Sequence, residues 1–363
     1  MNRLSPVNYI FADQSASIGY VPSGLSNSQL RWETTGELDL GLDLSILDSR
    51  FNFTFDYYKK NTRNLLASVP LPPSVGFGSV LQNIGEVQNQ GIELVVNANI
   101  LANALKWDVS GQISANRNKV ISLAGGSDII ASGSLSGLAG VNIARVGEPL
   151  GVFFGYIEDG LTDEGFIKYV DINNDGIVNA LDRVIIGTPY PKFTYGFTTS
   201  FAYKGVDLSI FIQGSQGNDI FFRTAYTNLN SFQRSQNQLA DLFGNYWTAD
   251  KPDPNAKYPK ISKSTQMQGS DRFIKDGSYL RLKSLQLGYN LATTKAGMNW
   301  FTRARIYVSA TNLFTITNYP GLDPEINTTG NDSQNIGNRL QMGIDASGYP
   351  SARIIGGGIQ LTF

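Results

Sequence analysis

The sequence feature that most limits the possible folds is a pair of alternating segments on either side of Lys204 and Gly205. From Phe193 to Tyr203 the odd positions are mostly aromatic, and small or polar residues stand between them. From Val206 to Gln213 the even positions are aliphatic and the odd positions are mostly polar. Alternation with a period of two is the pattern of a strand with one apolar face. The segment therefore predicts a β-hairpin, and each arm has about the ten residues that a tilted strand needs to cross a bilayer.

The same alternation recurs along the chain and predicts nine membrane-spanning strands. They lie near residues 37–44, 51–58, 92–98, 107–114, 193–203, 206–213, 279–291, 303–311 and 355–363. A change of parity near Lys283 and Ser284 predicts a β-bulge in the seventh strand. The segment 150–157 has the pattern of a further strand, but one extra crossing would invert the order of the loops. We therefore assign that segment to a long outer loop.

The links between the predicted strands alternate between short and long. Short links lie near 46–50, 101–104, 204–205 and 292–300, and long links lie at roughly 60–85, 117–192, 214–276 and 315–351. Outer-membrane barrels have this asymmetry, with short periplasmic turns and long extracellular loops. The predicted fold class is thus all-β, an antiparallel transmembrane β-barrel with long extracellular loops. Because single-chain bacterial barrels have an even number of strands, we expect these nine to be part of a larger barrel.

The alternative fold is a soluble β-sandwich, because a period of two does not distinguish a face against lipid from a face against a second sheet. Composition favours the barrel. Charged residues make up 16% of the chain, against about 25% in an average soluble protein. The sequence also has no apolar run as long as a transmembrane helix, so insertion into a membrane would have to use strands.

Composition also excludes several classes of function. The 29 basic and 30 acidic residues nearly cancel, which argues against a nucleic-acid partner. The absence of cysteine excludes disulfides, thiolate metal sites and cysteine nucleophiles. The absence of histidine removes the Ser-His dyad and most zinc chemistry. No pair of carboxylates stands out as catalytic, so we expect that the protein is not an enzyme.

The segment 171–182 fits the calcium-loop pattern D-x-N-x-D-G-x5-D. Side-chain oxygens at positions 1, 3, 5 and 12 and the backbone carbonyl at position 7 would bind the ion, and a glycine at position 6 permits the sharp turn. The predicted metal ligands are Asp171, Asn173, Asp175, Ile177 and Asp182. The predicted cofactor is therefore Ca²⁺ in a structural role. The alternative is a turn held only by hydrogen bonds from these side chains to the backbone.

Further polar and aromatic residues have two interpretations each. The loop aromatics could stack on a sugar or dock a lid protein, but packing of the loop on itself or a place in an aromatic girdle at the membrane interface is favoured. They are Phe221, Phe222, Tyr226, Tyr246, Trp247 and Tyr258. The segment 231–250 predicts a short helix within the same loop. Arg303 and Arg305 lie on the inward face, where they could contact an anionic substrate or pair with acidic neighbours such as Asp39 or Asp43.

Several segments, taken in order, resemble the SusC/RagA-type TonB-dependent outer-membrane transporters of Bacteroidota. They are LRWETTGELDLGLD (30–43), FDYYKKNTRNLL (55–66), NIGEVQNQGIEL (83–94), DINNDGIVNALDRVIIGTPYPKFTYGF (171–197), YLRLKSLQLGYNL (279–291), SATNLFTITNYPGLDPE (309–325) and the terminal GGIQLTF. Each segment alone is a weak signal, but their order is specific.

The resemblance implies a barrel of 22 strands in the bacterial outer membrane, with an N-terminal plug and a TonB box. Its implied partners are a SusD-like surface lipoprotein, the TonB complex, outer-membrane lipid and an oligosaccharide or peptide substrate. Residues 1–363 resemble the C-terminal section of one such barrel domain, so the plug and the remaining strands are expected in another part of the parent protein. The alternative function is a soluble calcium-dependent carbohydrate-binding or adhesin β-domain. Such a domain would be extracted without detergent.

Overall fold

A nine-stranded antiparallel sheet dominates the computed structural model. The structure describes residues 3–10, 16–71, 73–77, 79–123, 126–131, 140–229, 237–262, 267–291, 302–326 and 340–363. In chain order its strands are β1 (Arg3–Ile10), β2 (Ala16–Gly24), β3 (Thr34–Ile46), β4 (Phe51–Pro70), β5 (Ser79–Ala102), β6 (Leu105–Leu123), β7 (Ile129–Ile130), β8 (Asn142–Ala144), β9 (Val152–Gly155), β10 (Glu158–Leu161), β11 (Ile167–Tyr169), β12 (Val184–Gly187), β13 (Phe193–Tyr203), β14 (Val206–Gln216), β15 (Asp219–Phe221), β16 (Ile274–Asp276), β17 (Tyr279–Leu291), β18 (Arg303–Thr317) and β19 (Ile354–Thr362).

Helices are few and short. Among the described residues there is one α-helix, α1 (Arg223–Leu229), and there are 3-10 turns at Pro73–Val75, Ala180–Asp182, Ala240–Leu242 and Asp271–Phe273. No helix in these ranges has the length and apolar character that crossing a membrane requires.

The large sheet has the strand order β3-β4-β5-β6-β13-β14-β17-β18-β19. It contains all nine predicted strands, each antiparallel to its neighbours, so the predicted fold class is confirmed. The turn at Lys204 and Gly205 has positive φ at both residues (47° and 87°), which matches the right-handed twist of a two-residue hairpin. The predicted turn at 292–300 lies outside the described residues.

One face of this sheet is apolar and open. A row of directly opposed residues joins Leu42, Phe55, Leu94, Ile113 and Tyr195 across five strands. Leu42 is 62% exposed and Ile113 is 43% exposed, so no second sheet covers this face. An apolar surface of this extent is unstable in water and is the surface that a barrel turns toward lipid. The β-sandwich alternative is therefore wrong.

The opposite face is polar. The row next to the short turns joins Asp108, Ser200, Ser209, Gln286 and Ser309 across five strands. A polar face directly behind an apolar one is the arrangement of a barrel wall, whose interior is wet. The alternation in the sequence is therefore the alternation between lipid and interior.

The predicted β-bulge lies at Lys283. The partners of β14 change from Leu282 opposite Ile212 to Ser284 opposite Phe211, so Lys283 is skipped in the register. β18 shows a shift at the same place. The extra residue keeps Leu282 and Leu285 on the apolar face although their spacing is odd.

The outer segments between β6 and β17 form a small core, to which Ile344 from the segment after β18 also belongs. Phe153, Phe221 and Phe273 are almost completely buried there. The segment 150–157 supplies β9, which pairs with β8 and β12 in a separate four-stranded sheet, so its assignment to an outer loop is confirmed. The outer segments therefore cap the wall as a packed layer.

The helix predicted over 231–250 is wrong for the residues that the structure describes. Only a 3-10 turn at Ala240–Leu242 is found in 237–250, and 230–236 lie outside the described residues. The α-helix precedes this segment. Ala225, Tyr226 and Leu229 lie on its buried face at helical spacing, so tertiary packing selects α1 as the helix.

Candidate functional sites in the outer loops and on the polar face

The loop at 171–182 turns sharply because two of its residues have left-handed backbone. Asn174 has φ 59° and Gly176 has φ 84°. Asp171 Oδ2 accepts a hydrogen bond from the Gly176 N–H at 2.8 Å. Asp175 Oδ1 accepts one from the Ile177 N–H at 2.9 Å. These side-chain contacts replace backbone bonds that such a tight turn does not make.

Asp182 closes the loop from its far end. Its side chain is completely buried, and its carboxylate accepts hydrogen bonds from the N–H groups of Asn179 (2.7 Å) and Ile172 (2.9 Å). Asn179 in turn accepts from the Leu181 N–H at 2.8 Å, which completes a capping box. The backbone donors, with Asn179 foremost, lower the pKa of Asp182. The loop is thus held by an ionised carboxylate.

The predicted calcium ligands therefore lie in one loop, and their donor set consists of oxygens only. Asp171, Asp175 and Asp182 form no ion pair within the described ranges, so three negative charges stand without a cation. This composition fits Ca²⁺. Within the same ranges, however, no three carboxylates converge as a metal centre, and hydrogen bonds to the backbone account for the turn. Calcium stays a prediction.

The loop aromatics pack on one another. Phe221, Tyr226, Trp247 and Tyr258 are each less than 8% exposed, and Phe221 contacts Phe273 with a ring separation of 6.0 Å. Phe222 and Tyr246 are partly buried against the same cluster. The packing interpretation is therefore confirmed. Four of these six rings have too little free surface to stack on a ligand.

A buried ionic network on the polar face has no counterpart in the sequence-based predictions. Arg281 on β17 is 3% exposed and donates from Nε to Thr315 Oγ1 at 2.9 Å. Its two terminal nitrogens donate to Glu325 Oε2 (2.6 Å) and to Asp323. Asp323 Oδ2 also accepts from the Ser351 N–H at 3.0 Å. The network therefore joins the sheet to the segments that follow β18 and precede β19.

Two further side chains complete the network at Glu325. Gln213 on β14 donates to its Oε1 at 3.1 Å, and Lys283 at the bulge donates to its Oε2 at 3.2 Å. The signal in the sequence is the acidic pair in GLDPE, which follows an arginine strand by about forty residues. The alternation of apolar and polar residues does not predict that Arg281 contacts Asp323 and Glu325, because this contact depends on how the segment after β18 folds back onto the sheet.

Arg305 pairs with an acidic neighbour as expected, but neither Arg303 nor Arg305 pairs with Asp39 or Asp43, so the named partners are wrong. Arg305 forms an ion pair with Asp207 on β14, and its Nε donates to the same carboxylate at 3.1 Å. Arg303 donates to Asn290 Oδ1. The reason is the strand order, since β14 lies two strands from β18, whereas β3 lies at the opposite edge of the sheet. Arg303, Arg305 and Asp207 all lie on the polar face of the sheet.

Comparison with known proteins agrees with this architecture. The family model described as TonB dependent receptor-like, beta-barrel, matches residues 3–313. The chain is 34% identical to TonB-dependent receptor P3 of Formosa agariphila, over 99% of this chain and 37% of that protein. It is 29% identical to TonB-dependent receptor SusC of Bacteroides thetaiotaomicron, over 93% of this chain and 32% of that protein.

A solved structure shows the same arrangement. A chain of the RagAB peptide transporter superimposes with a TM-score of 0.83 at 25% identity, over the whole of this chain and 38% of that chain. This chain thus spans little more than a third of the relatives it matches. Together with the open apolar face and the polar face behind it, these similarities show that the chain belongs to the TonB-dependent receptor β-barrel family, whose SusC-like and RagA-like members are outer-membrane proteins.

Proposed function

We propose that this chain forms a section of the barrel wall of an outer-membrane importer for oligosaccharides or peptides. The observation that carries the proposal is the nine-stranded sheet with its two unlike faces. An importer needs a wall that is apolar toward lipid and polar toward a wet interior. The outer segments pack over one end of the wall, where a solute would enter.

We further propose that a SusD-like surface lipoprotein covers the outer end and that a plug elsewhere in the parent protein couples uptake to a TonB complex. Similarity to SusC and to a chain of the RagAB peptide transporter supports both partners. RagAB is a peptide transporter, so the proposed substrates include peptides as well as oligosaccharides. The predicted Ca²⁺ would have a structural role, with Asp171, Asn173, Asp175, Asp182 and the Ile177 carbonyl as its oxygen ligands.

A matched pair of arginine substitutions tests the wall. Val308 is 56% exposed on the apolar face, and the next residue, Ser309, lies opposite Gln286 on the polar face. Arginine on the lipid face near the middle of the bilayer costs about 2–4 kcal/mol. We expect Val308→Arg in the complete protein to lower its level in the outer membrane, whereas Ser309→Arg is tolerated. Equal tolerance of both changes would contradict the wall assignment.

Uptake tests the transport function. Cells that produce the complete protein should accumulate labelled oligosaccharides or peptides only when their TonB complex is intact. A strain without TonB but with the same level of the protein in its outer membrane is the control. Accumulation that does not depend on TonB would refute energy-coupled import.

A further inference from the structure

A hollow of about 380 Å³ lies on the large sheet near its outer end. Thr194 lies nine residues from the end of β13 at Tyr203, and Gln213 lies seven residues from the start of β14 at Val206. At 3.3 Å per residue, the hollow is about 23–30 Å from the short turns, measured along the strands. Its volume is within the range of ligand-binding pockets. Its lining includes Glu93, Gln112, Ser114, Thr194, Phe211, Gln213 and Tyr279.

The register places these side chains on the polar face. Glu93, Ser114 and Thr194 are directly opposed on β5, β6 and β13. In the adjacent row, Gly196 lies between Gln112 and Gln213. Since both rows share the face of the serine-rich row described above, the hollow opens toward the barrel interior.

Several hydrogen-bonding groups in the hollow are free. The Gln112 amide and the Thr194 hydroxyl have no hydrogen-bond partner within the described ranges, and Glu93 accepts only a long contact of 3.5 Å from Ser114. A Cβ on Gly196 would lie 2.9 Å from Gln112 Nε2, so the glycine leaves the space in which this amide lies. The amide thus lies over Gly196 in the lining of the hollow, with both its donor and its acceptor available.

Phe211 breaks the polar pattern of this face. It is directly opposed to Thr198 and Ser284, and it is the aromatic residue in an otherwise polar series on β14, partly exposed beside the hollow. The faces of aromatic rings carry partial negative charge and attract positively polarised C–H groups. An aromatic face beside free amide, hydroxyl and carboxylate groups matches the chemistry of a sugar ring.

The charges around the hollow disfavour an anionic ligand. Arg281 is engaged by Asp323 and Glu325, and Lys283 is engaged by Glu325. Lys192, two residues before Thr194, is exposed and forms no ion pair within the described ranges. Glu93 lies directly opposite Asp56, and neither forms an ion pair with the residues that the structure describes. Two unpaired carboxylates thus face one unpaired cation, so the local charge is negative.

We propose that this hollow is a subsite for a neutral oligosaccharide, which rests on the importer function proposed above and selects one of its two substrate classes. Sugar hydroxyls both donate and accept, so they can pair with the Gln112 amide, the Thr194 hydroxyl and the Glu93 carboxylate. The apolar side of the ring packs on Phe211. Uncharged sugars avoid the repulsion that sulfated or uronate oligosaccharides would meet.

The test uses the complete purified protein on a glycan array with neutral, sulfated and uronate oligosaccharides, followed by calorimetry with the best binder. Gln112→Leu keeps the size of the side chain but leaves a sugar hydroxyl unpaired, and we expect about tenfold weaker binding. Phe211→Leu should weaken binding about fivefold. Gly196→Ala should weaken it by displacing the Gln112 amide without removing it. Ser209→Ala, on the same strand and face outside the hollow, is the control and should change affinity less than about twofold.

Several results would overturn the proposal. Absence of binding to any neutral oligosaccharide would do so, as would equal affinities in the hollow variants and in Ser209→Ala. Binding of a lysine-rich hexapeptide that weakens steeply with salt would assign the hollow to basic peptides. If Gln112→Leu increases protease cleavage of the plug and leaves the sugar affinity unchanged, the hollow is a contact surface for the plug of the parent protein. TonB-dependent uptake of peptides without sugar binding would remove the subsite and leave the importer function intact.

Discussion

Removing Arg281 should release the segment after β18 from the wall. In Arg281→Met, Asp323 (12% exposed) loses its cationic partner but keeps the Ser351 N–H donor, while Glu325 (36% exposed) keeps Lys283 and can be hydrated. Breaking a buried ion pair by removing one partner costs about 3–5 kcal/mol. Because both carboxylates keep other partners, we expect about 3 kcal/mol, the lower end of that range.

Hydrogen–deuterium exchange of the complete protein in nanodiscs measures this loss. About 3 kcal/mol corresponds to a decrease of roughly 150-fold in the protection of backbone amides near residues 319–325, if these amides exchange by opening of the segment. Lys283→Met is the matched control, since it removes only a partly exposed contact to Glu325 and should cost less than about 1 kcal/mol. Protection that is equal in the wild type and in Arg281→Met would refute the role of the network.

The same network predicts a dependence on pH. Burial raises the pKa of Asp323, but hydrogen bonds from Arg281 and from backbone N–H groups outweigh burial and lower the pKa below its ordinary value. A lowered pKa in the folded state means that the stabilisation is present above the unfolded value of about 3.9 and is lost as pH falls through the folded value. Protection of the segment, corrected for intrinsic exchange, should therefore be constant from about pH 7 to pH 5 and fall only below about pH 4. Loss of protection between pH 7 and pH 5 would contradict this account.

Three further predictions concern the loop at 171–182, the aromatic residue after β19 and the edges of the large sheet. EGTA, or Asp175→Ala, should increase protease cleavage near 171–182 without unfolding the barrel, and cleavage that is equal with and without calcium would refute the metal assignment. Phe363→Asp in the complete protein should lower its level in the outer membrane, because Phe363 is an exposed aromatic residue directly after the amphipathic strand β19, and an unchanged level would count against this role. This chain alone should not form a closed conducting barrel, since β3 and β19 each pair on one side only among the described strands and unpaired backbone groups in lipid cost several kcal/mol each. Single-channel conductance from the purified chain would refute that expectation.

The sequence by itself was enough to predict the strands of the large sheet and their two unlike faces. Alternation with period two is a local property of each strand, so the residues at 193–203 and 206–213 were enough to predict one apolar face and one polar face. The bulge at Lys283 was visible for the same reason, as a change of parity within a single segment. Turn chemistry was equally local, since Lys204 and Gly205 both take the left-handed backbone that a two-residue hairpin needs.

Only the tertiary structure determined which residues from distant parts of the chain contact one another. Arg305 pairs with Asp207, at a separation of 98 residues, because the strand order places β14 two strands away from β18. Burial of Arg281 by Asp323 and Glu325 depends on a long link that folds back onto the wall. The free amide of Gln112 over Gly196 depends on the register of two strands that are far apart in sequence. Alternation specifies which face a side chain takes, but it does not specify its neighbours, because pairing and loop packing are set by contacts between distant segments.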